Sequence, residues 1–215
     1  MVDVAGARPV LVCHRGASAL APENSLEAFR VAMQHGIDFS ELDVHVARSG
    51  DLVVTHDAAS DPDAERDLPR LAEVFDLVRG RMGIYVELKG AATGSALGDL
   101  VRAGTADDVT LIVGSEHLDL VDEVHRAAPA IARSILFRPG ADLHGMITAC
   151  REHEAAYAHP CFRPIDASQV RGFHAAGLLV MTPHTNDASE ARDFVNIGVD
   201  VIASDDPRVL LPLRA

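Results

Sequence analysis

The chain has 215 residues, 48% of them hydrophobic, enough to bury one sizeable core, and no Pro/Ser-rich linker or shift in composition divides it. A formal charge of −13 argues against nucleic acid and against an anionic membrane surface, since both demand a basic face. Any phosphate the protein handles must therefore be met by a local site. Cys13, Cys150 and Cys161 show no paired metal spacing and read as reduced thiols of a cytoplasmic protein. Residues 1–9 lack the long apolar core of an export signal, and no later segment reaches the length of a membrane span.

In chain order, the apolar run Val10-Leu11-Val12-Cys13 predicts a short strand that stops at His14-Arg15-Gly16. A helix follows over 25–35, with Leu26, Phe29, Ala32 and Met33 at helical spacing, Asn24 or Ser25 as its cap and Gly36 as its stop. The stretch from Glu41 to Asp57 is the richest in chemistry. Alternation along a strand puts Glu41, Asp43 and His45 on one face; Ser49-Gly50 reads as a turn and 51–55 as a returning strand, a hairpin that brings His56 back close to Asp43. A polar loop over 58–67 and a helix over 68–78, with the stripe Leu71, Val74, Phe75 and Val78, come next.

The strand from Gly83 to Lys89 puts Tyr85, Glu87 and Lys89 on one face. Lys89 is the only lysine among 19 basic residues, which suits a site that needs a compact ammonium an arginine fork cannot replace. The remainder repeats a rhythm of helices (95–102, 116–127, 142–154, 166–176, 187–197) and strands (109–113, 131–137, 155–158, 178–182, 199–203), and closes with Ser204-Asp205-Asp206-Pro207 and a stub of helix. Eight repeats of strand then helix predict a TIM (β/α)8 barrel, an α/β fold in one compact domain over 1–215 with a short insertion after the second strand. A doubly wound open sheet is the alternative, but no glycine-rich dinucleotide fingerprint follows the first strand.

In such a barrel, chemistry collects at the carboxyl ends of the strands, where this sequence places His14, Glu41, Asp43, Glu87, Lys89, His159 and Asp205. Three carboxylates at one mouth repel unless a divalent cation neutralises them, and oxygen-only ligation favours Mg²⁺ or Ca²⁺ over Zn²⁺. With one cation held by Glu41, Asp43 and Glu87, Arg15 and Lys89 are left to balance an anionic group, and His14 and His56 to move protons. That set fits cleavage of a phosphodiester. His45 reads as a supporting group and Asp205 as either a helix cap or a substrate contact; His159 and His184 sit at strand ends in binding or plain loop roles. His35, His117, His125, His144, His153 and His174 fall on helices or their ends and read as solvated.

The string His14-Arg15-Gly16, Pro22-Glu23-Asn24-Ser25, Glu41-x-Asp43-Val44, His56-Asp57 and Glu87-Leu88-Lys89, in this order and spacing, resembles the glycerophosphodiester phosphodiesterase family. The likeness is dense over residues 9–89 and thins to Gly177, Thr182, Asn186 and Ser204-Asp205-x-Pro207. It implies a metal-dependent barrel that hydrolyses glycerophosphodiesters to an alcohol and glycerol 3-phosphate. Glu41, Asp43 and Glu87 would be metal ligands, His14 and His56 the acid/base pair, and Arg15 with Lys89 the phosphate contacts. The chain departs from that family in its short 58–67 loop, in Met181-Thr182-Pro183-His184 where many members carry a tryptophan, and in Val113-Gly114-Ser115 where a Ser-Phe pair is common. The competing readings are a phospholipase D-like enzyme on lysolipids, a lapsed binding or regulatory barrel, and a metal-dependent aldolase or isomerase.

Overall fold

The computed structural model describes residues 9–214, so that most of the N-terminal stretch read for an export signal lies outside the described residues. The strands are β1 (Val10–Cys13), β2 (Phe39–Val46), β3 (Leu52–Val54), β4 (Gly83–Leu88), β5 (Leu111–Ser115), β6 (Ala132–Phe137), β7 (Tyr157–Pro160), β8 (Leu179–Val180) and β9 (Val201–Ser204). Between them run α1 (Leu26–Gln34), α2 (Pro62–Arg66), α3 (Leu71–Val78), α4 (Thr93–Arg102), α5 (Leu118–Ala127), α6 (Leu143–Glu152), α7 (Ala167–Ala175) and α8 (Ala188–Ile197), and α9 (Pro207–Leu210) with a 3₁₀ turn, Leu211–Arg214, ends the fold.

The strands pair in the order β8-β7-β6-β5-β4-β2-β1-β9, every ladder on that path parallel, while β3 lies antiparallel on β2 outside it. The two ends meet: Met181 bridges to Val201, and the Asp200 N–H donates to the Val180 carbonyl at 3.1 Å. The result is the nearly closed eight-stranded parallel barrel expected from the alternating pattern.

Parallel strands bury both faces, and the two faces here carry different layers. Inside, Val12, Phe39, Tyr85, Ile112, Leu136, Tyr157, Met181 and Val201 form one apolar cluster, one residue from each barrel strand or the position just past it. This plug closes the lumen and gives the polar residues above it a dry floor. Outside, residues such as Leu42, Val44, Val86, Val113 and Ile202 pack against Phe29, Phe75, Val124 and Phe173 from the helices. The helix starts are locally encoded: Ser25, Asp142, Asp166, Asp187 and Asp206 each accept a backbone N–H from the first turn, contacts worth about 1 kcal/mol apiece.

Several boundary expectations are corrected, the last strand among them, which begins at Val201. The fifth strand begins at Leu111 and the seventh at Tyr157, each two residues later than expected, because the preceding residues are spent on turns. The Val109 N–H closes on Ala106, and the Ala155 N–H caps α6 through Cys150. The third helix begins at Leu71, since the Pro69 carbonyl accepts from the Val54 N–H and ties the chain to β3. The 58–67 loop contains α2, whose Asp61 cap and Pro62 at the first helical position were a readable start signal. Among the described residues no helix is long and apolar enough to cross a membrane.

Candidate active site

The parallel register of β2 on β4 sets Glu41 beside Tyr85 and Asp43 beside Glu87, so alternation carries all four side chains to the barrel interior, Tyr85 in the apolar floor and the three carboxylates above it. Glu41, Asp43 and Glu87 each bring a carboxylate oxygen to within 4.8 Å of the others. Asp43 is 1% exposed and densely partnered: Oδ2 accepts from Asn24 Nδ2 at 3.1 Å and lies 3.3 Å from Arg15 Nε, and Oδ1 lies 3.1 Å from Lys89 Nζ. Lys89 donates to Glu87 as well and so bridges the two carboxylates. Burial works against the Lys89 charge, yet Glu87 and Asp43 outweigh it and raise its pKa.

Glu41 is the unbalanced member. Its Oε2 accepts the Arg15 N–H at 2.9 Å, but Oε1 is buried with no hydrogen-bond partner among the described residues. Burial, and then the charges of Asp43 and Glu87, push its carboxyl up to about 8 against the opposing pull of His14. An orphaned, buried carboxylate oxygen beside two further carboxylates is the donor set of a hard cation, so the residues present fit one divalent ion.

His14, just past β1, offers Nδ1–H to Asp205 Oδ1 at 2.8 Å and carries Nε2 to 3.9 Å from Glu41 Oε2. Burial lowers its pKa, but the hydrogen bond to Asp205 with the charges of Glu41 and Asp205 prevails and raises it. Asn186 Nδ2 donates to the second Asp205 oxygen at 2.7 Å. The hydrogen bonds from His14 and Asn186 hold Asp205 well below the usual carboxylate range, overcoming burial.

The loop that carries Arg15 is folded tightly. Arg15 and Asn24 both take left-handed backbone, φ 55° and 54°, and the Asn24 N–H donates to the Arg15 carbonyl at 3.0 Å. Such angles are uncommon outside glycine, and here they let Arg15 give its N–H to Glu41 while its side chain reaches Asp43 and Glu23. Gly16 follows at φ +76°, where a Cβ would stand 2.6 Å from Ala28 Cβ; only glycine fits.

The hairpin forms as expected, and its register sets how His56 stands to Asp43. The β2–β3 ladder pairs Val44 with Val54, and the Thr55 N–H donates to the Asp43 carbonyl, so Thr55 and not His56 stands opposite Asp43. The His56 ring takes Asp57 Oδ1 as its partner at 2.9 Å, and its carbonyl accepts from His45 Nε2–H at 3.0 Å. His45 thus holds the His56 backbone, in line with a supporting part. His14 and His56 share one arrangement: Nδ1 tied to a carboxylate, Nε2 without a hydrogen-bond partner among the described residues.

His159 lies within β7 and not past its end. Its Nε2–H donates to the Thr182 carbonyl at 3.1 Å, and Nδ1 is 3.4 Å from the Tyr85 hydroxyl, for which Gly114 leaves room; a Cβ there would stand 1.9 Å from that oxygen. Burial pushes His159 down to about 4, so it is neutral. His184 stacks on His14 with ring centroids 4.0 Å apart and planes 9° from parallel. Of the helix histidines expected to be solvated, His153 pairs with Asp122 and His174 with Asp200.

Of the two cap candidates, Ser25 caps α1 as the sequence allowed, and the other, Asn24, is a site residue buried against Asp43. The signal available was redundancy, since a helix needs one cap and two adjacent candidates were present. Asn186 and the stacking role of His184 had no local signal, because their partners lie on distant elements.

The model of the glycerophosphoryl diester phosphodiesterase family matches residues 14–80, the segment that carries His14, Glu41, Asp43 and His56. A protein of Caldanaerobacter subterraneus subsp. tengcongensis named glycerophosphodiester phosphodiesterase is 27% identical over 96% of this chain and 98% of its own length. A phosphodiesterase of Oleispira antarctica, solved in complex with the product sn-glycerol-3-phosphate, superposes with a TM-score of 0.85 at 24% identity, covering 98% of both chains. A glycerophosphodiester phosphodiesterase of Agrobacterium tumefaciens gives a TM-score of 0.75 at 25% identity over 94% of this chain and 98% of that one.

Proposed function

We propose that this chain, which matches the glycerophosphoryl diester phosphodiesterase family model over residues 14–80, hydrolyses a small glycerophosphodiester to an alcohol and glycerol 3-phosphate, within a single barrel domain over 1–215, using a bound divalent cation and a pair of histidines. The observation that carries this reading is the convergence of Glu41, Asp43 and Glu87 within 4.8 Å, with a buried unpartnered Glu41 oxygen and His14 Nε2 at the same mouth. Glu41, Asp43 and Glu87 would hold one Mg²⁺ or Ca²⁺, which when bound supplies positive charge at a non-bridging phosphate oxygen.

The remaining work falls to this chain's own side chains. Arg15 and Lys89, already drawn into the mouth by Asp43, are placed to share their charge with the phosphate as negative charge develops on its oxygens. Either a water forms the new O–P bond while the bond from phosphorus to the leaving alcohol breaks, or the glycerol 2-hydroxyl does so first and a water then adds to phosphorus, breaking its bond to that 2-oxygen to give glycerol 3-phosphate. One histidine takes the proton of the attacking hydroxyl at Nε2 and the other gives a proton to the departing alkoxide. Asp205 and Asp57, bound at Nδ1 of His14 and His56, fix the tautomer that leaves each Nε2 free for this exchange.

Release of glycerol 3-phosphate from a panel of glycerophosphodiesters, using chelator-stripped protein with Mg²⁺, Ca²⁺ or Mn²⁺ restored, tests the reading. We expect turnover that needs a cation and is lost in His14→Ala and Glu87→Ala. A folded protein that binds a cation yet releases nothing from the panel or from lysolipids would sustain the lapsed-barrel reading instead.

A further inference from the structure

His184 is not used by the reaction just described, yet its ring stacks directly on that of His14. It lies on the outer side of His14: its side chain is 42% exposed against 21% for His14. The segment that carries it is pinned on three sides. The Thr185 N–H donates to the Ala203 carbonyl at 2.8 Å; Arg163, itself paired through two nitrogens with Glu190, donates to the His184 carbonyl at 2.9 Å; and Asn186 ties the next turn to Asp205 and Ser204. The backbone that carries the His184 ring is thus fixed beside His14 and sets the ring over it.

His14, His184 and Asp205 can each bring a ligand atom within 4.8 Å of the others, which raises the question of a second metal centre. The ring geometry speaks against one. Two imidazoles stacked face to face and 9° from parallel aim their in-plane lone pairs side by side, so they do not converge on one ion. Stacking plates are what this geometry provides.

We propose that His184 is a positioning residue for His14: its ring, stacked at 4.0 Å, and the Asp205 hydrogen bond at Nδ1 together hold the His14 plane so that Nε2 stays aimed at the carboxylate mouth. The hydrogen bond alone fixes one point of the ring. The second histidine torsion is broad and permits a swing about that point, which a flat plate on one face removes. The role rests on the phosphodiesterase reading, because an aimed Nε2 matters only to a proton transfer, and misplacement of a reacting group by about 1 Å costs on the order of a hundredfold in rate.

The test compares His184→Ala, His184→Phe and His184→Gln with wild type and His14→Ala, at saturating cation. Removing the plate should lower kcat about tenfold with KM changed by less than about twofold. Phenylalanine, flat and unable to accept or donate a proton, should restore most of kcat; glutamine should not. In proton spectra of the metal-free protein, the His14 ring resonances, assigned by their loss in His14→Ala, should carry a ring-current shift that disappears in His184→Ala and persists in His184→Phe.

Wild-type kcat in His184→Ala overturns the proposal, as does a phenylalanine variant no better than alanine. A rise in KM alone also overturns it, since the ring would then be meeting substrate. The two levels of failure separate cleanly: an active wild type with an inactive His14→Ala upholds the reaction and leaves the His184 variants to judge the positioning role. A wild type without turnover removes both.

Discussion

The two halves of the barrel mouth are built to different rules. The half formed by β1, β2 and β4 carries Arg15, Glu41, Asp43, Glu87 and Lys89, charges brought together by adjacent strands and by a loop folded back through left-handed backbone at Arg15 and Asn24. The half formed by β5 to β9 offers Arg138 already engaged with Glu116, Arg163 already engaged with Glu190, a neutral His159, and the Asn186–Asp205–His184 group that bears on His14. In the first half the charges are paired with one another and crowd around Glu41, whose second oxygen lacks a partner among the described residues; in the other, the pairs lie apart from that cluster and the side chains hold their neighbours in place. A mouth of this kind separates chemistry from alignment, and substitutions in the two halves should differ in kind as well as in size.

The largest effect should come from Asp43→Asn, which keeps the shape but removes the charge shared by Arg15 and Lys89. Cation-supported turnover should fall by about 10³-fold or more, and calorimetric titration should show cation affinity falling with it. Undiminished turnover would break the comparison at its strongest point. Next, His56→Ala should cost about 10²-fold to 10⁴-fold in kcat at unchanged fold, measured in the glycerol 3-phosphate assay. A loss confined to KM would move His56 from proton transfer to substrate contact.

Smaller effects belong to the other half. His159 takes a proton in the unfolded chain near its ordinary value of 6.5 and in the folded chain only at about 4. Its neutral form is therefore favoured by the fold. The contribution is fully present above pH 6.5 and is lost as pH falls to about 4, by at most about 3 kcal/mol. Urea unfolding of wild type and His159→Gln across that window should show a flatter pH dependence in the variant, whose amide keeps one donor and one acceptor for Thr182 and Tyr85. Smallest of all, Arg138→Ala should change stability by less than about 1 kcal/mol, because its pair with Glu116 is exposed to solvent. A thermal melt that shows several times that loss would mean the second half relies on its charges after all.

How much of this was legible in the sequence depended on the range of the contacts. Alternation along one strand put Glu41 and Asp43 on a common face, and the same rule aligned Tyr85 with Glu87, so the carboxylate mouth could be read before any fold was known. The barrel followed from apolar periodicity, and helix starts from caps such as Asp166 and Asp187. Errors arose where two local uses competed for one backbone group. Ala155 could begin a strand or cap α6, and the cap prevailed. The frame around His14 was out of reach, since its Nδ1 partner, Asp205, is 191 positions away and only closure of the barrel brings them together.

Lys89 has a practical consequence for anyone handling the protein. It is the chain's only lysine, and its Nζ is shared between Asp43 and Glu87 at the heart of the mouth. Amine-directed dyes, cross-linkers and resins therefore have one side-chain target, and to reach it they must enter the pocket where catalysis would take place. Acylation of that nitrogen would erase a charge from the mouth, so the rate of labelling becomes a readout of pocket occupancy, and fixation to a surface is better done through an added tag than through lysine.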